Sequence, residues 1–210
     1  ASNHLGDAII QPQQIGDGLS AFRWTTIVQS PEGRFVRKFC RHCLEPACVS
    51  VCPVGAMQKT SQGPVIYDPQ LCMGCRYCMM ACPFGIPRYE WNSAAPWIQK
   101  CNFCFQRLLE GKLPACVEAC PYDVLQFGER DELIQVAKNR MLASPGKYHP
   151  ILYGESEAGG TSVLYLTDVP LDWLGFHGNP GETPSPAYSW NWLEKVPGIG
   201  LTTAGLMTGL

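Results

Sequence analysis

Apolar residues in this chain come in short runs separated by polar or glycine- and proline-rich stretches, and few runs hold a clear period. The clearest is helical. Leu133, Val136, Ala137 and Met141 fall on one face of a helix that Asp131 can cap and that Ser144, Pro145 and Gly146 end. A second helix is expected around Phe105–Glu110, closed by Gly111 just past its end. Strand patterns are shorter. Val65, Ile66 and Tyr67 follow Gly63-Pro64 and read as a strand that stops at the Asp68-Pro69 turn. Thr161–Thr167 reads as a buried strand, and residues 145–162 as loop. Residues 170–190 form a Pro/Gly-rich excursion, expected to wrap on a partner rather than pack on a core of its own. Val196–Leu210 carries no charge, but its fifteen residues fall short of the roughly 20 that span a bilayer. A buried helix or a loose tail is expected there. The alternative is a transmembrane helix cut by the end of the chain, because Tyr188, Trp190 and Trp192 form an interfacial-looking belt just before it.

Composition changes the picture at one residue type. Gly and Pro number 21 and 18 of 210, loop-rich yet short of low complexity, while cysteine occurs twelve times. The net charge of −2 argues against a general nucleic-acid binder, and composition excludes coiled coil and collagen. Charge is unevenly spread. Residues 23–112 hold eleven Lys and Arg against five Asp and Glu, and residues 113–210 hold five against eleven. A basic segment can mean phosphate binding, but this one contains ten of the twelve cysteines, and the alternative is that its side chains offset negative charge bound inside. The chain starts at Ala1, and its first 22 residues lack the basic start and apolar stretch of a secretory signal.

The cysteines form three groups of four: Cys40, Cys43, Cys48 and Cys52; Cys72, Cys75, Cys78 and Cys82; Cys101, Cys104, Cys116 and Cys120. In each the fourth is followed by proline, Pro53, Pro83 or Pro121. The second group matches the bacterial ferredoxin run C-x2-C-x2-C-x3-C-P without deviation, and the other two are that pattern with an insertion. Three thiolates of a tight loop can meet three corners of one [4Fe–4S] cubane. The fourth sits a helical turn further on and ligates the other cluster of a pair. In such a pair Cys40, Cys43 and Cys48 share a cluster with Cys82, and Cys72, Cys75 and Cys78 share one with Cys52. Disulfides suit closely spaced C-x2-C pairs poorly. Structural zinc prefers two well-separated knuckles, and the C-x3-C-x2-C run of radical enzymes is missing. At least three [4Fe–4S] clusters are therefore expected. Each brings about −2 with its four thiolates, so the local positive charge has the right sign. Lys38, Arg41, Arg76, Lys100 and Arg107 lie within three residues of a ligand, although each taken singly reads as a solvated surface charge. Trp91, Trp97 and Phe103 read as shielding for the clusters rather than as electron relays.

The stretches CRHCLEPACVSVCPVGAM (40–57), CMGCRYCMMACPFGIPRY (72–89) and KCNFCFQRLLEGKLPACVEACP (100–121) resemble the multi-cluster ferredoxin-type electron-transfer subunits of membrane respiratory complexes. Residues 127–140, 153–170 and 193–200 extend the likeness over nearly the whole chain. It points to the β subunit of membrane-bound formate dehydrogenase and to the iron–sulfur subunit of nickel–iron hydrogenase. The resemblance implies an α+β fold of tandem bacterial ferredoxin-like modules (β-hairpin plus short helix), with an inserted helical arm and a loop-rich C-terminal extension. The parts would be an N-terminal extension (1–38), a ferredoxin-like iron–sulfur domain (39–127), a helix, strand and wrapping extension (128–192) and an apolar tail (193–210). Those relatives carry a fourth cysteine group that would precede Ala1. Either the chain is an N-terminally incomplete copy, or Cys101, Cys104, Cys116 and Cys120 close one cluster by themselves.

Outside the cysteines there is no catalytic constellation. His4, His42, His149 and His177 are scattered, and neither a phosphate loop nor a serine elbow is present. The expectation is a non-catalytic subunit in a hetero-oligomer. It would take electrons from a molybdopterin or nickel–iron catalytic subunit, oxidising formate or hydrogen, and pass them to a membrane quinone-reactive subunit. Its expected place is the periplasmic face of a bacterial inner membrane, with no nucleic-acid partner. A soluble polyferredoxin shuttling between soluble partners is the alternative, disfavoured by the apolar end of the chain.

Overall fold

The computed structural model describes residues 13–14, 18–29, 33–91, 93–94, 96–170, 172 and 180–209. His4, His177 and part of the 170–190 excursion lie outside them. The chain is a mixed α+β assembly of short elements. Strands β1 (Gln13–Gln14), β2 (Thr26–Gln29) and β3 (Phe35–Lys38) form a sheet in which β1 runs parallel to β2, and β2 pairs antiparallel with β3 from Thr26↔Lys38 to Gln29↔Phe35. Alternation sets its faces: Val28 and Val36 point inward against Tyr165 and Val169, while Ile27 and Phe35 face outward. After helix α1 (Ala47–Ser50) comes a hairpin of β4 (Met57–Lys59) and β5 (Val65–Tyr67), in register Met57↔Tyr67. Helix α2 (Tyr77–Ala81) precedes a second short pair, β6 (Arg88–Tyr89) and β7 (Ile98–Gln99). The expected strand and the Asp68 turn are both present.

The arm consists of α3 (Phe105–Leu109) and α4 (Ala115–Glu118), and α3 ends at a left-handed Gly111 as expected. Helix α5 (Arg130–Ala143) starts from Glu129 without a side-chain cap, so Asp131 lies inside its first turn and acts only through the helix dipole. Its buried face is Ile134 and Ala137, packed on Leu152, with Leu164 and Leu166 beside them. Val136 is exposed. Of the expected apolar face Ala137 is buried and Leu133 and Met141 are half-buried, while Ile134 takes the place expected for Val136, because a single helical stripe on a short, mostly polar helix is narrow.

Residues 161–167 run extended but form no strand. They make isolated bridges, Cys43↔Thr161 and Tyr153↔Tyr165, in place of a ladder. The Ser162 and Val163 N–H groups donate to the His42 and Arg41 carbonyls, so this segment backs the first cysteine loop. Arg130 of α5 fastens it through the carbonyls of Thr161, Gly154 and Glu155 at 2.8–3.1 Å. Gly154 has φ +97, and a Cβ there would collide with the Val163 carbonyl oxygen.

Toward the end of the chain, α6 (Ser185–Leu193) makes the last part of the excursion helical, with proline in its first turn. Helix α7 (Val196–Thr208) replaces the expected buried helix or loose tail, and Ile199, Leu201, Leu206 and Met207 are all exposed on it. Among the described residues no helix is long and apolar enough to cross a membrane. Apolar packing elsewhere is divided into small clusters, and two of these are organised around sulfur. One gathers Leu19, Cys40 and Ile86 with Cys82 and Cys101. The other gathers Met57, Cys78 and Ile98 with Cys48, Cys52 and Cys72.

Candidate cluster-binding centres

The three C-x2-C loops share a backbone feature. The residue before the second cysteine is left-handed in each: His42 (φ 50), Gly74 (φ 76) and Phe103 (φ 59). This conformation turns amides back toward the sulfur. Gly74 N–H and Phe103 N–H each donate to the preceding Cys72 and Cys101 Sγ at 3.4 Å. Holding a His or Phe there costs about 1–2 kcal/mol per residue, which marks a constraint imposed by function or packing. A second repeat follows each Cys-Pro. Gly55, Gly85 and Asp123, three residues past Cys52, Cys82 and Cys120, are also left-handed. Each turn aims amides at its cysteine: residues 54–57 at Cys52, residues 84–86 at Cys82, and Tyr122, Val124 and Leu125 at Cys120. At Cys52 burial works against ionisation, yet these amides hold the thiol below its ordinary value. At Cys120 the amides, led by that of Leu125, do the same. At Cys82 burial prevails and the thiol is raised. The chain thus supplies N–H donors to sulfurs that must carry negative charge.

Electrostatic neighbourhoods sort the thiols. Cys43 is pushed up to about 12 by burial and then by Cys40 and Cys82. Cys48 is raised by burial and by Cys40, Cys82 and Cys43, with Lys100 opposing. Cys78 is pushed up to about 11 by burial and then by Cys52, Cys72 and Cys75. Cys43 and Cys48 thus sit near Cys40 and Cys82, and Cys78 near Cys52, Cys72 and Cys75. Cys52, Cys72, Cys75 and Cys78 also line one small, partly open apolar hollow, walled by Met57, Tyr67 and Ile98. Tyr67 accepts from the Ile98 N–H at 3.3 Å, and burial, followed by the neighbouring Cys72, raises its hydroxyl above the ordinary value. Among the described residues no three Cys, His, Asp or Glu side chains converge as ligands of one ion do, at about 2.3 Å from a common metal. Four sulfurs spread around one apolar hollow, rather than converging on a point, suit a cubane, whose ligands bind separate irons.

The third group is arranged differently. The sulfur that bears on Cys101 is Cys40 of the first set; burial and this neighbour push Cys101 up to about 11. Cys104 is the N-cap of α3 and Cys116 lies in α4, and Arg107 ties these helices through the Leu113 carbonyl (2.8 Å) and Glu118 (2.5 Å). Cys120 opens the turn where Tyr122 and Val124 are exposed.

Two of the five flanking cations are not solvated. Arg41 is 1% exposed and its guanidinium lies 4.0 Å from the Tyr165 ring, with Tyr153 and Phe84 beyond. Lys100 is 5% exposed and donates to the Val65 and Cys101 carbonyls. Arg76 is exposed and stacks on Tyr89 and Trp91. Trp91 and Trp97 are themselves largely exposed, so neither shields a buried centre. Sequence spacing did not single out Lys59, whose ammonium bonds the Cys43 carbonyl at 2.8 Å, nor Tyr67, nor His42, which is fully buried. The positive φ of His42 and Phe103 had one visible signal, the glycine at the matching place in the second group.

Comparison with known proteins bears on what these centres hold. Residues 32–130 match the family described as a 4Fe-4S dicluster domain. The matched residues take in all twelve cysteines, more than the eight that two clusters with four ligands each require. Among curated relatives, a protein of Nitratidesulfovibrio vulgaris is 46% identical over 176 residues, 83% of this chain and 48% of its own length. The hydrogenase-2 operon protein HybA of Escherichia coli O157:H7 is 44% identical over 66% of this chain and 50% of its own. The B chain of anaerobic dimethyl sulfoxide reductase from Escherichia coli K12 is 52% identical over 94 residues, 45% of each protein. The chain spans about half the length of the curated relatives it matches. With its multi-cluster ferredoxin-type pattern, it carries several [4Fe–4S] clusters.

Proposed function

We propose that this chain is a non-catalytic electron-transfer subunit of a respiratory oxidoreductase, built as two interleaved ferredoxin-like modules with a helical arm. Cys40, Cys43, Cys48 and Cys82 hold one [4Fe–4S] cluster, and Cys52, Cys72, Cys75 and Cys78 hold a second. Cys101, Cys104, Cys116 and Cys120 serve further cluster binding. The observation that carries the reading is the sorting of sulfur neighbours: Cys43 and Cys48 feel Cys40 and Cys82, while Cys78 feels Cys52, Cys72 and Cys75, with which it lines one apolar hollow. When bound, the clusters supply one-electron storage. The chain's part is to fix the thiolates, donate amides to them through the left-handed turns, keep water out and offset negative charge with Lys59 and Lys100. Likeness to the hydrogenase-2 operon protein HybA and to the dimethyl sulfoxide reductase B chain supports a partner with a nickel–iron or molybdopterin catalytic centre. The exposed apolar α6 and α7 support a second partner, a membrane quinone-reactive subunit, at the periplasmic face of the inner membrane.

Iron and acid-labile sulfide analysis with EPR of the reduced chain tests this. At least eight iron per chain, with signals of interacting reduced cubanes, is the expected result, and about twelve if the third group closes its own site. Zinc in place of iron, or a chain that accepts no electron, overturns it.

A further inference from the structure

His42 is fully buried one residue before Cys43, in a left-handed conformation. Its Nδ1 accepts a hydrogen bond from the Val65 N–H at 2.9 Å. An imidazole that accepts at Nδ1 carries its proton on Nε2. That buried Nε2 has no hydrogen-bond partner among the described residues. A buried donor in a native fold is almost always satisfied, so the missing partner is a group that occupies the interior when the protein is loaded. The ring sits between two cysteine loops. It belongs to the 40–43 loop, and it packs against Phe103 of the 101–104 loop at 4.6 Å between ring centroids. Cys40 and Cys101, the first cysteines of these loops, are themselves electrostatic neighbours. Lys59 and Lys100 close the other sides, each engaged with backbone carbonyls, so neither supplies an acceptor.

We infer that the His42 Nε2–H is a hydrogen-bond donor to a sulfur of an iron–sulfur cluster bound at one of the two cysteine sets flanking it. The inference rests on the cluster-binding reading above and goes beyond it by giving a residue outside the ligand set a part in tuning a potential. Hydrogen bonds to cluster sulfurs stabilise the more negative, reduced state and raise the reduction potential. His42 is thereby a tuning and positioning residue at the junction of two centres, its tautomer fixed by the β5 backbone.

The test is an EPR-monitored redox titration of the purified, cluster-loaded full chain, comparing wild type with His42→Phe and His42→Gln. Iron per chain is measured in all three. The expected result is unchanged iron, one signal that titrates at lower potential in His42→Phe, and a smaller displacement in His42→Gln, which keeps an N–H donor. Which signal moves identifies the acceptor as the cluster of the Cys40 set or that of the Cys101 set. Should the Phe variant lose iron, wild-type protein labelled with 15N-histidine decides: a 15N coupling on a reduced-cluster signal, lost in His42→Gln, supports the bond, and no coupling refutes it. Unchanged iron with unmoved potentials overturns this inference alone. Wild type without iron overturns the cluster reading instead.

Discussion

The stretch from Cys40 to Cys82 and the arm from Cys101 to Cys120 carry related cysteine patterns, yet they are built in opposite ways. In the first, Cys82 packs beside Cys40 and Cys52 beside Cys72 and Cys78, so two loops, two helices and a hairpin close on one another, and sulfur becomes core. In the arm, Cys101 is drawn toward Cys40, and Cys120 ends on an exposed turn whose amides already hold its thiol low. A motif therefore specifies the loop around three sulfurs, while the partner loop decides whether the fourth is enclosed. The paired region contains its partner. The arm offers a prepared sulfur outward.

The largest expected effect breaks the exchange of trailing cysteines. Cys52→Ser, although it sits in the first motif, removes the cluster of the second set. Iron falls by about four per chain while the EPR signal of the Cys40 set persists, and Cys82→Ser gives the converse loss. Cys120→Ser leaves both paired signals intact and alters only what the arm binds, read by the same iron count.

Packing behind the loops ranks next. Gly154→Ala places a Cβ against the Val163 carbonyl and forces a left-handed alanine, costing about 1–2 kcal/mol from the backbone alone, measured by denaturant unfolding of the loaded chain. Thiol titration gives a graded contrast in protein stripped of iron. Cys43, raised to about 12, and Cys78 and Cys101, raised to about 11, favour their protonated forms in the fold. Their contribution is complete below the ordinary thiol value of 9.0 and is lost as pH rises through 11 and 12. Stability of the stripped chain should fall over that window, and alkylation near pH 8, followed by peptide mass spectrometry, should reach Cys120 well before Cys43. The smallest effect belongs to the surface. Lys138→Ala removes an exposed pair with Glu155 and shifts stability by no more than about 0.5 kcal/mol in the same unfolding assay.

What the sequence made legible was local. The cysteine spacings, the Val65–Tyr67 strand, the Gly111 stop of α3 and the span of α5 all follow from residues within a turn or two of one another. Burial of Arg41 and Lys100 was not legible, since it depends on Tyr165 and Val65, 124 and 35 positions away in the chain. Lys59, Tyr67 and His42 escaped for the same reason: each reaches its site from the hairpin or across loops. The supposed strand at 161–167 had the right apolar character but lacked a neighbour long enough to pair with.

The bridge from Cys43 to Thr161 has a consequence for biosynthesis. A ribosome adding about 5–20 residues per second needs some 6–24 s to travel between those two points. During that interval the first thiols have emerged while the segment that will cover their loop has not yet been made. Iron delivery therefore has an open door on the nascent chain, and translation itself, followed by the clasp of Arg130, shuts it.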